Sequence, residues 1–341
     1  MKVHIYNPEN DLALAAGTAS YTPPPAAVAQ ATRGALLPLW WADADDTVVC
    51  DDPARLDRWE RDWGRRPAAD RFDRADGAVP WGWSAAVTRR LSRLGVRRET
   101  MPSDDVLEAI RQLSHRRTSM KLLAMLGLEG VAREVGSVDE VMALTEAFDG
   151  NVYLKSPWSC SGRGVMSAAR MTPDAVRAFA AGTIRRQGSV MVERAVDATA
   201  DFAALFVTSD YGVRFQGWSM FQTSPTGKYE GQIVDSDSGI AARLASLTSI
   251  APLEATVSRM EKALTEIVGN IYRGPLGVDM MVRADGGVHP CVEVNLRRTM
   301  GFVAADIHRR LAVSGQLKIS ADGESYVVTD DAGHPLTPPL S

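Results

Sequence analysis

The stretch GPLGVDMMVRADGGVHPCVEVNLRR, Gly274 to Arg298, holds two apolar-rich runs separated by the turn ADGG, the pattern of a β-hairpin. Asp279 sits in the first run, and Glu293, Asn295 and Arg297 follow at two-residue spacing in the second. Side chains two apart share a face of a strand, so one face carries a carboxylate, an amide and a guanidinium, with another carboxylate across the turn. Two hard oxygen ligands and an amide oxygen suit Mg²⁺, which holds nucleotide phosphates through a few carboxylates and retained waters. An exposed strand face with charge pairs would show the same residues. Asp279 weighs against that alternative, because a carboxylate within LGVDMMV is costly to bury without a cation or donors.

A second stretch, YLKSPWSCSGRGV from Tyr153 to Val165, ends an apolar run with Lys155 and then breaks into serine and glycine. A lysine on a strand followed by a loop of small residues fits a phosphate: the ammonium supplies a point charge and the backbone N–H groups approach the oxygens. Taken alone, SCSGRG reads equally well as a surface turn.

The whole chain sets the bounds. At 341 residues it exceeds the roughly 250–300 at which single cores stop growing, so two or more domains are expected. A net charge of −4 offers no overall attraction to nucleic acid or an anionic membrane, and any basic site must be local. Cys50, Cys160 and Cys291 lack CxxC spacing and support neither a disulfide framework nor a zinc site, which suits a reducing cytoplasm. The five histidines show no ligand spacing, no run of about 18 apolar residues occurs, and the N-terminus alternates into a strand. No GxSxG elbow is present, and Cys160 has no histidine paired with it in the sequence, so a protein nucleophile is not expected.

Along the first third, strands at KVHIY and TVVC alternate with helices capped at Ser84 and Ser103, a small parallel α/β unit. Asn7-Pro8-Glu9 and Thr22-Pro23 read as caps before helix-starting prolines. NPEND also follows a strand C-terminus, where crevices bind ligands. Six tryptophans, Trp40, Trp41, Trp59, Trp63, Trp81 and Trp83, read as core or interface anchors because no basic stripe accompanies them. From Arg116 come a helix ending at Gly127, the strand VAREV, a helix capped at Ser137, NVYLK, the strand GVMSAARM, a helix from Thr172-Pro173 and the strand SVMVERAV. DFAALFV, RFQGWSMFQ and YEGQIV form a long antiparallel stretch, with a helix near Leu253–Asn270 before the hairpin and another after it. The tail HPLTPPLS is expected to be frayed.

Lysine strand, glycine loop, VMVERAV, then VDMMV and VEVNLR, in this order, resemble the ATP-grasp superfamily of carboxylate–amine and carboxylate–thiol ligases, from about Arg116 to Leu311. No Walker A pattern competes, since SPTGKYEG lacks the earlier glycine and the Ser/Thr after Lys228. The resemblance implies α/β and α+β architecture: an N-terminal parallel α/β pre-ATP-grasp-like domain (1–112), a first ATP-grasp lobe (113–189), a second lobe with the metal-binding hairpin (190–315), and C-terminal strands and tail (316–341). It further implies ATP and Mg²⁺, with Mn²⁺ as an alternative. Lys155 would contact the nucleotide phosphates, and the loop with Ser161, Gly162 and Gly164 would close over them. Glu193, Arg194 and Val196 resemble the hinge whose backbone meets adenine, and Asp201 lies near the ribose-binding acid. Asp279, Glu293 and Asn295 resemble the magnesium ligands, and Arg297 the arginine that steadies the transferred phosphoryl group.

One departure stands out. Where the family often has a first phosphate-binding lysine, this chain has Arg116, and Lys121 follows five residues later on the same helix. Arginine binds phosphate in bidentate fashion, so Arg116 takes that role and Lys121 a helix surface. Arg298 is the candidate partner for a substrate carboxylate. The implied reaction is ATP-dependent amide bond formation from a small carboxylate and an amine, amino acids or a peptide among them, with release of ADP and phosphate. A homodimer is a common assembly among such enzymes, and neither nucleic acid nor membrane is an expected partner. The alternatives are a kinase using the same grasp, and a nucleotide-binding regulatory protein without catalysis.

Overall fold

The computed structural model describes residues 1–159, 164–223 and 229–341, and its strands form three sheets. In the N-terminal region β1 (Lys2–Ile5) lies between β2 (Thr47–Val48) and β3 (Gly77–Pro80), both parallel to it. Parallel neighbours need crossover connections, and α1 (Asn10–Ala16), α2 (Pro25–Arg33) and α3 (Pro53–Trp63) lie in them, with α4 (Ala85–Arg93) and α5 (Asp104–Leu113) after β3. Ser84 and Ser103 cap α4 and α5 as their positions suggested, accepting from the N–H groups of Val87 and Val106.

Two starts differ from the sequence reading. Asn7 does not cap α1; it is buried, and its amide nitrogen donates to the Gly82 carbonyl at 2.9 Å. The α2 helix begins at Pro25, not after Thr22, because each proline in Thr22-Pro23-Pro24-Pro25 bars helical geometry in the residue before it.

After α6 (Arg117–Met125) a smaller antiparallel sheet forms from β4 (Ala132–Val135), β5 (Val152–Lys155), β6 (Val165–Ser167) and β7 (Val190–Arg194), in the order β4-β7-β5-β6. α7 (Val138–Ala147) and α8 (Pro173–Gln187) share its core, with Val141, Val152, Leu154, Val176 and Val190 at the centre. Of the strand expected through GVMSAARM only β6 forms, and the chain then coils into a short 3₁₀ turn at Ala168–Arg170.

The largest sheet has seven strands: β8 (Ala198–Ser209), β9 (Gly212–Thr223), β10 (Tyr229–Val234), β11 (Gly274–Arg283), β12 (Val288–Asn295), β13 (Gly315–Ile319) and β14 (Tyr326–Thr329), ordered β12-β11-β8-β9-β10-β13-β14. Leu276, Val278, Met280 and Val282 alternate along β11 and are fully buried, packing with Phe202, Phe206 and the apolar stripe of α10 (Ile250–Val268). A further short helix, α9 (Asp237–Ala245), capped by Ser236, occupies a segment that the sequence reading left without an element. α11 (Met300–Leu311) packs on β9 and β10 and joins a second core built from Tyr6, Trp40, Trp81, Val303, Ile307, Leu317 and Val328. The tryptophans are therefore anchors between the N-terminal region and the large sheet, with Trp40 edge-on to Trp63 at 5.0 Å and to Trp59 at 5.5 Å. Among the described residues no helix is long and apolar enough to cross a membrane.

The C-terminal tail is not frayed. Leu340 is fully buried, its N–H donates to the Tyr326 carbonyl at 2.8 Å, and its own carbonyl accepts from the Trp40 indole at 3.0 Å. The Trp63 indole donates to Pro339 at 2.9 Å. Leu340→Ala should therefore lower unfolding stability by about 2 kcal/mol or more in denaturant titrations, where a frayed residue would give no measurable change.

Candidate functional site

The β11–β12 ladder sets Asp279 directly opposite Glu293, and Gly277 opposite Asn295. Directly paired side chains lie close, so the two carboxylates share one patch. The Asn295 amide nitrogen donates to Asp279 Oδ2 at 3.0 Å. The register shifts between Asp279 and Met281, where Pro290 lies in the opposing strand and has no N–H to give the ladder.

Burial, followed by the charge of Glu293, pushes the Asp279 carboxyl up to about 7, against the opposing pull of Arg297, Asn295 and Arg116. Two carboxylates placed together in a desolvated patch are the arrangement a hard cation relieves. Asp279, Glu293 and Asn295 supply oxygen donors of the kind Mg²⁺ takes, and they fit that ion. Val294, between Glu293 and Asn295, donates its N–H to the Ser119 hydroxyl at 3.0 Å, which ties β12 to α6.

Arg116, just before α6, reaches this patch. Its Nη2 lies 3.0 Å from Glu293 Oε1 and 2.9 Å from the Ser159 hydroxyl, and its Nε donates to the Ser156 carbonyl at 3.2 Å. Lys121 is exposed on α6. Arg116 thus links the carboxylate pair to the base of the glycine loop, and Lys121 does neither. That base is closed by the Ser156 N–H donating to the Gly164 carbonyl at 2.7 Å. Gly164 has φ +75°, and a Cβ there would stand 2.8 Å from the Ser156 hydroxyl, so only glycine fits. Cys160, Ser161, Gly162 and Lys228 lie outside the described residues.

Lys155 is buried, and its ammonium lies 2.5 Å from Glu193 Oε2. The two project from one face of neighbouring strands, because Tyr153 pairs with Glu193 and Lys155 with Met191. Burial alone would raise the Glu193 carboxyl; Lys155 and His289 overcome it and hold it at about 2. His289 Nε2, from β12, stands 3.7 Å from Glu193 Oε1. The Glu193 side chain therefore spans from the small sheet to the large one. The next residues are tied differently: the Arg194 N–H donates to Val131, that of Ala195 to Asn151, and the Arg194 guanidinium lies over the Phe148 ring at 5.6 Å. Val196 follows in the connection to β8. Asp201, on β8, accepts from the Thr223 hydroxyl at 2.5 Å.

Past the end of β12 two arginines part company. Arg297 forms a side-on pair with Asp11 of α1, Nη2 to Oδ2 at 2.8 Å and Nε to Oδ2 at 2.9 Å. Arg298, expected to reach a substrate carboxylate, is instead bound to Asp306 of α11 at 2.7 Å and stacked over the Trp41 ring at 4.2 Å. Its N–H donates to Trp81. It serves the junction between the N-terminal region and α11.

In the sequence Asp11 appears only as part of NPEND and Ser159 only as part of YLKSPWSCSGRGV, while neither His289 nor Cys291 stands out. His289 and Cys291 follow from counting back by twos from Glu293, a signal that was present; Cys291 is buried, and its thiol is pushed far up by desolvation, with Glu193 and Asp279 adding to it. The partners of Asp11 and Ser159, Arg297 and Arg116, carry no such signal, because they are distant in the chain.

No protein-family model and no curated protein sequence matches the chain. Solved structures do. N5-carboxyaminoimidazole synthetase from Staphylococcus aureus, complexed with ADP, superposes with a TM-score of 0.51 at 12% identity over 87% of this chain and 70% of that one. A second structure of the Staphylococcus aureus enzyme gives 0.50 at 11% identity, over 88% and 71%. A carboxyaminoimidazole ribonucleotide synthase from Aspergillus clavatus, complexed with ATP, gives 0.43 at 15% identity, over 67% of this chain and 55% of that one. The chain thus spans little more than half of the last of these and about seven tenths of the first two. Identities this low speak to the fold, and the parallel N-terminal sheet followed by two antiparallel sheets agrees with it: the chain is built on the ATP-grasp fold.

Proposed function

We propose that the chain is an ATP-dependent carboxylate–amine ligase that makes an amide bond and releases ADP and phosphate. The observation that carries this reading is the Asp279–Glu293 pair, set face to face in a desolvated patch with Arg116, Asn295 and Arg297 around it. A carboxylate oxygen of the acceptor attacks the γ-phosphorus of ATP and ADP leaves. The amine then attacks the acyl carbon, loses a proton and expels inorganic phosphate. Mg²⁺ held by Asp279, Glu293 and Asn295 would neutralise charge on the phosphate oxygens. Arg116 and Lys155 supply further positive charge to the phosphates, and Arg297 steadies the group in flight. Asp201 and the hinge at Glu193, Arg194 and Val196 hold the nucleoside. With Arg298 committed to Asp306, recognition of the acceptor carboxylate falls to other residues.

The partners proposed are therefore a small carboxylate and an amine. A reducing compartment suits the thiols of Cys50 and Cys291, which are both free. The reading is tested by following ADP and phosphate together with Mg²⁺-ATP and pooled amino acids and small carboxylates. Matched release that needs both a carboxylate and an amine, and is lost in Glu293→Ala, is expected. ADP without phosphate would make the chain a kinase instead.

Asp279→Asn should separate stability from function. The raised carboxyl of Asp279 means that the folded protein loses stability as pH climbs from about 4 to about 7, since the unfolded chain releases this proton first. The variant removes that loss, so in metal-free buffer its melting temperature should exceed wild type by about 2–4 °C at pH 8.5 and converge with it near pH 4. Stabilisation by Mg²⁺-ATP should vanish in the same variant. A lower melting temperature at pH 8.5 would show that the carboxylate is not under electrostatic stress.

Lys155→Met leaves the Glu193 carboxylate buried without its cation, a change that costs about 3–5 kcal/mol when one partner of a buried pair is removed. Adding Glu193→Gln should recover most of that stability while Mg²⁺-ATP affinity stays weak. Recovery of affinity along with stability would remove Lys155 from the phosphate site.

A further inference from the structure

Asp11 and Arg297 stand 286 residues apart in the chain, yet their side chains meet along the Nε–Nη2 edge of the guanidinium, at 2.9 and 2.8 Å. Neither is a surface charge, with 14% and 15% of their side-chain surfaces exposed, so the pair is far less screened than an exposed one. Both partners are anchored to the same short segment. The segment leading into α1, which carries Asp11, is tied through the Asn7 amide to the Gly82 carbonyl just past β3, while the residue after Arg297 donates its N–H to the Trp81 carbonyl. Gly82 is packed between the two, since a Cβ there would stand 2.4 Å from the Asn10 side-chain amide and 3.1 Å from Arg297 Cβ. Arg297 Nη1 donates to the Arg298 carbonyl at 3.3 Å, and its charge draws the Asp279 carboxyl downward. The guanidinium is thus fixed in plane and direction between a carboxylate of the N-terminal region and the carboxylate patch of the hairpin.

We infer that Asp11 is a positioning residue for Arg297, orienting the guanidinium toward the transferred phosphoryl group; this rests on the ligase reading above. Asp11 Oδ2 receives both the Nε and the Nη2 edge of the guanidinium, with Nε also 3.2 Å from Oδ1, and contacts at two points of one edge hold a planar group in orientation where a single contact leaves it free to rotate. Docking of the N-terminal region does not need this pair, because the neighbouring Arg298 already makes that connection, stacking over the Trp41 ring and donating its backbone N–H to the Trp81 carbonyl. What Asp11 adds is direction, and misplacement of a charge-stabilising group by about 1 Å is enough to cost on the order of 10²-fold in rate.

The test compares wild type, Asp11→Asn, Asp11→Glu, Arg297→Met and the Asp11→Asn/Arg297→Met double variant, each confirmed as folded by thermal unfolding. Calorimetry gives the Kd of each for Mg²⁺-ADP and for a non-hydrolysable Mg²⁺-ATP analogue, so the readout needs no knowledge of the acceptor. Wild type should favour the triphosphate. Asp11→Asn should cut that preference by about tenfold, near 1.4 kcal/mol, with Mg²⁺-ADP affinity unchanged within about twofold. Asp11→Glu, which keeps the charge, should recover part of the preference. In the Arg297→Met background Asp11→Asn should have no further effect, the signature of a residue acting only through its partner. An unchanged preference in Asp11→Asn, or an undiminished loss in the Arg297→Met background, overturns the inference while leaving the nucleotide site intact. A wild type that binds neither nucleotide overturns the reading of the site and the inference with it.

Discussion

The arrangement of the site follows from one electrostatic constraint: two carboxylates, Asp279 and Glu293, are held opposite each other by a backbone ladder that cannot let them separate. Strand alternation sends Leu276, Val278, Met280 and Val282 into the core, and the same alternation forces Asp279 onto the other face beside Glu293. The groups around them are what such a patch requires. Arg116 comes from the start of α6, Asn295 from two residues along β12, and Arg297 from the turn beyond it, each bringing a donor toward negative charge. A cation would complete the balance, and phosphate oxygens would then find positive charge on several sides.

The second buried pair, Lys155 with Glu193, solves the opposite problem. A buried lysine needs a counter-charge, and Glu193 supplies it from the neighbouring strand. His289 stands behind it from the large sheet, so a single carboxylate is read from both lobes. Phosphate arriving at Lys155 would compete with Glu193 for the ammonium. On the proposed function this would couple nucleotide binding to the contact between the two sheets, through Lys155, Glu193 and His289 in β5, β7 and β12.

The tandem Arg297-Arg298 shows how adjacent residues divide labour. In the turn beyond β12 the two side chains take different partners, one Asp11 of α1 and the other Asp306 of α11 and the Trp41 ring. The N-terminal region is therefore attached to the chain just past the hairpin's second strand. The tryptophan cluster broadens that attachment, and its indoles extend it to the C-terminus by donating to Pro339 and Leu340.

Local patterning in the sequence determined the hairpin, the common face of Glu293 and Asn295, the placement of Lys155 at a strand end, and the caps at Ser84, Ser103, Ser137 and Thr172. Each depends on a period of two residues or on a hydrogen bond reaching three residues ahead, so neighbours in the chain suffice to specify it. Tertiary structure alone decided the partners of the long side chains. Arg298 looks free to meet a substrate until α11 brings Asp306 to it, and Lys155 looks poised only for phosphate until β7 aligns Glu193. The tail reads as loose from its prolines, yet Leu340 is fully buried once the tryptophans and Tyr326 are assembled around it. Composition measures what a segment can do by itself, whereas burial and charge pairing depend on surfaces that exist only after distant elements have packed.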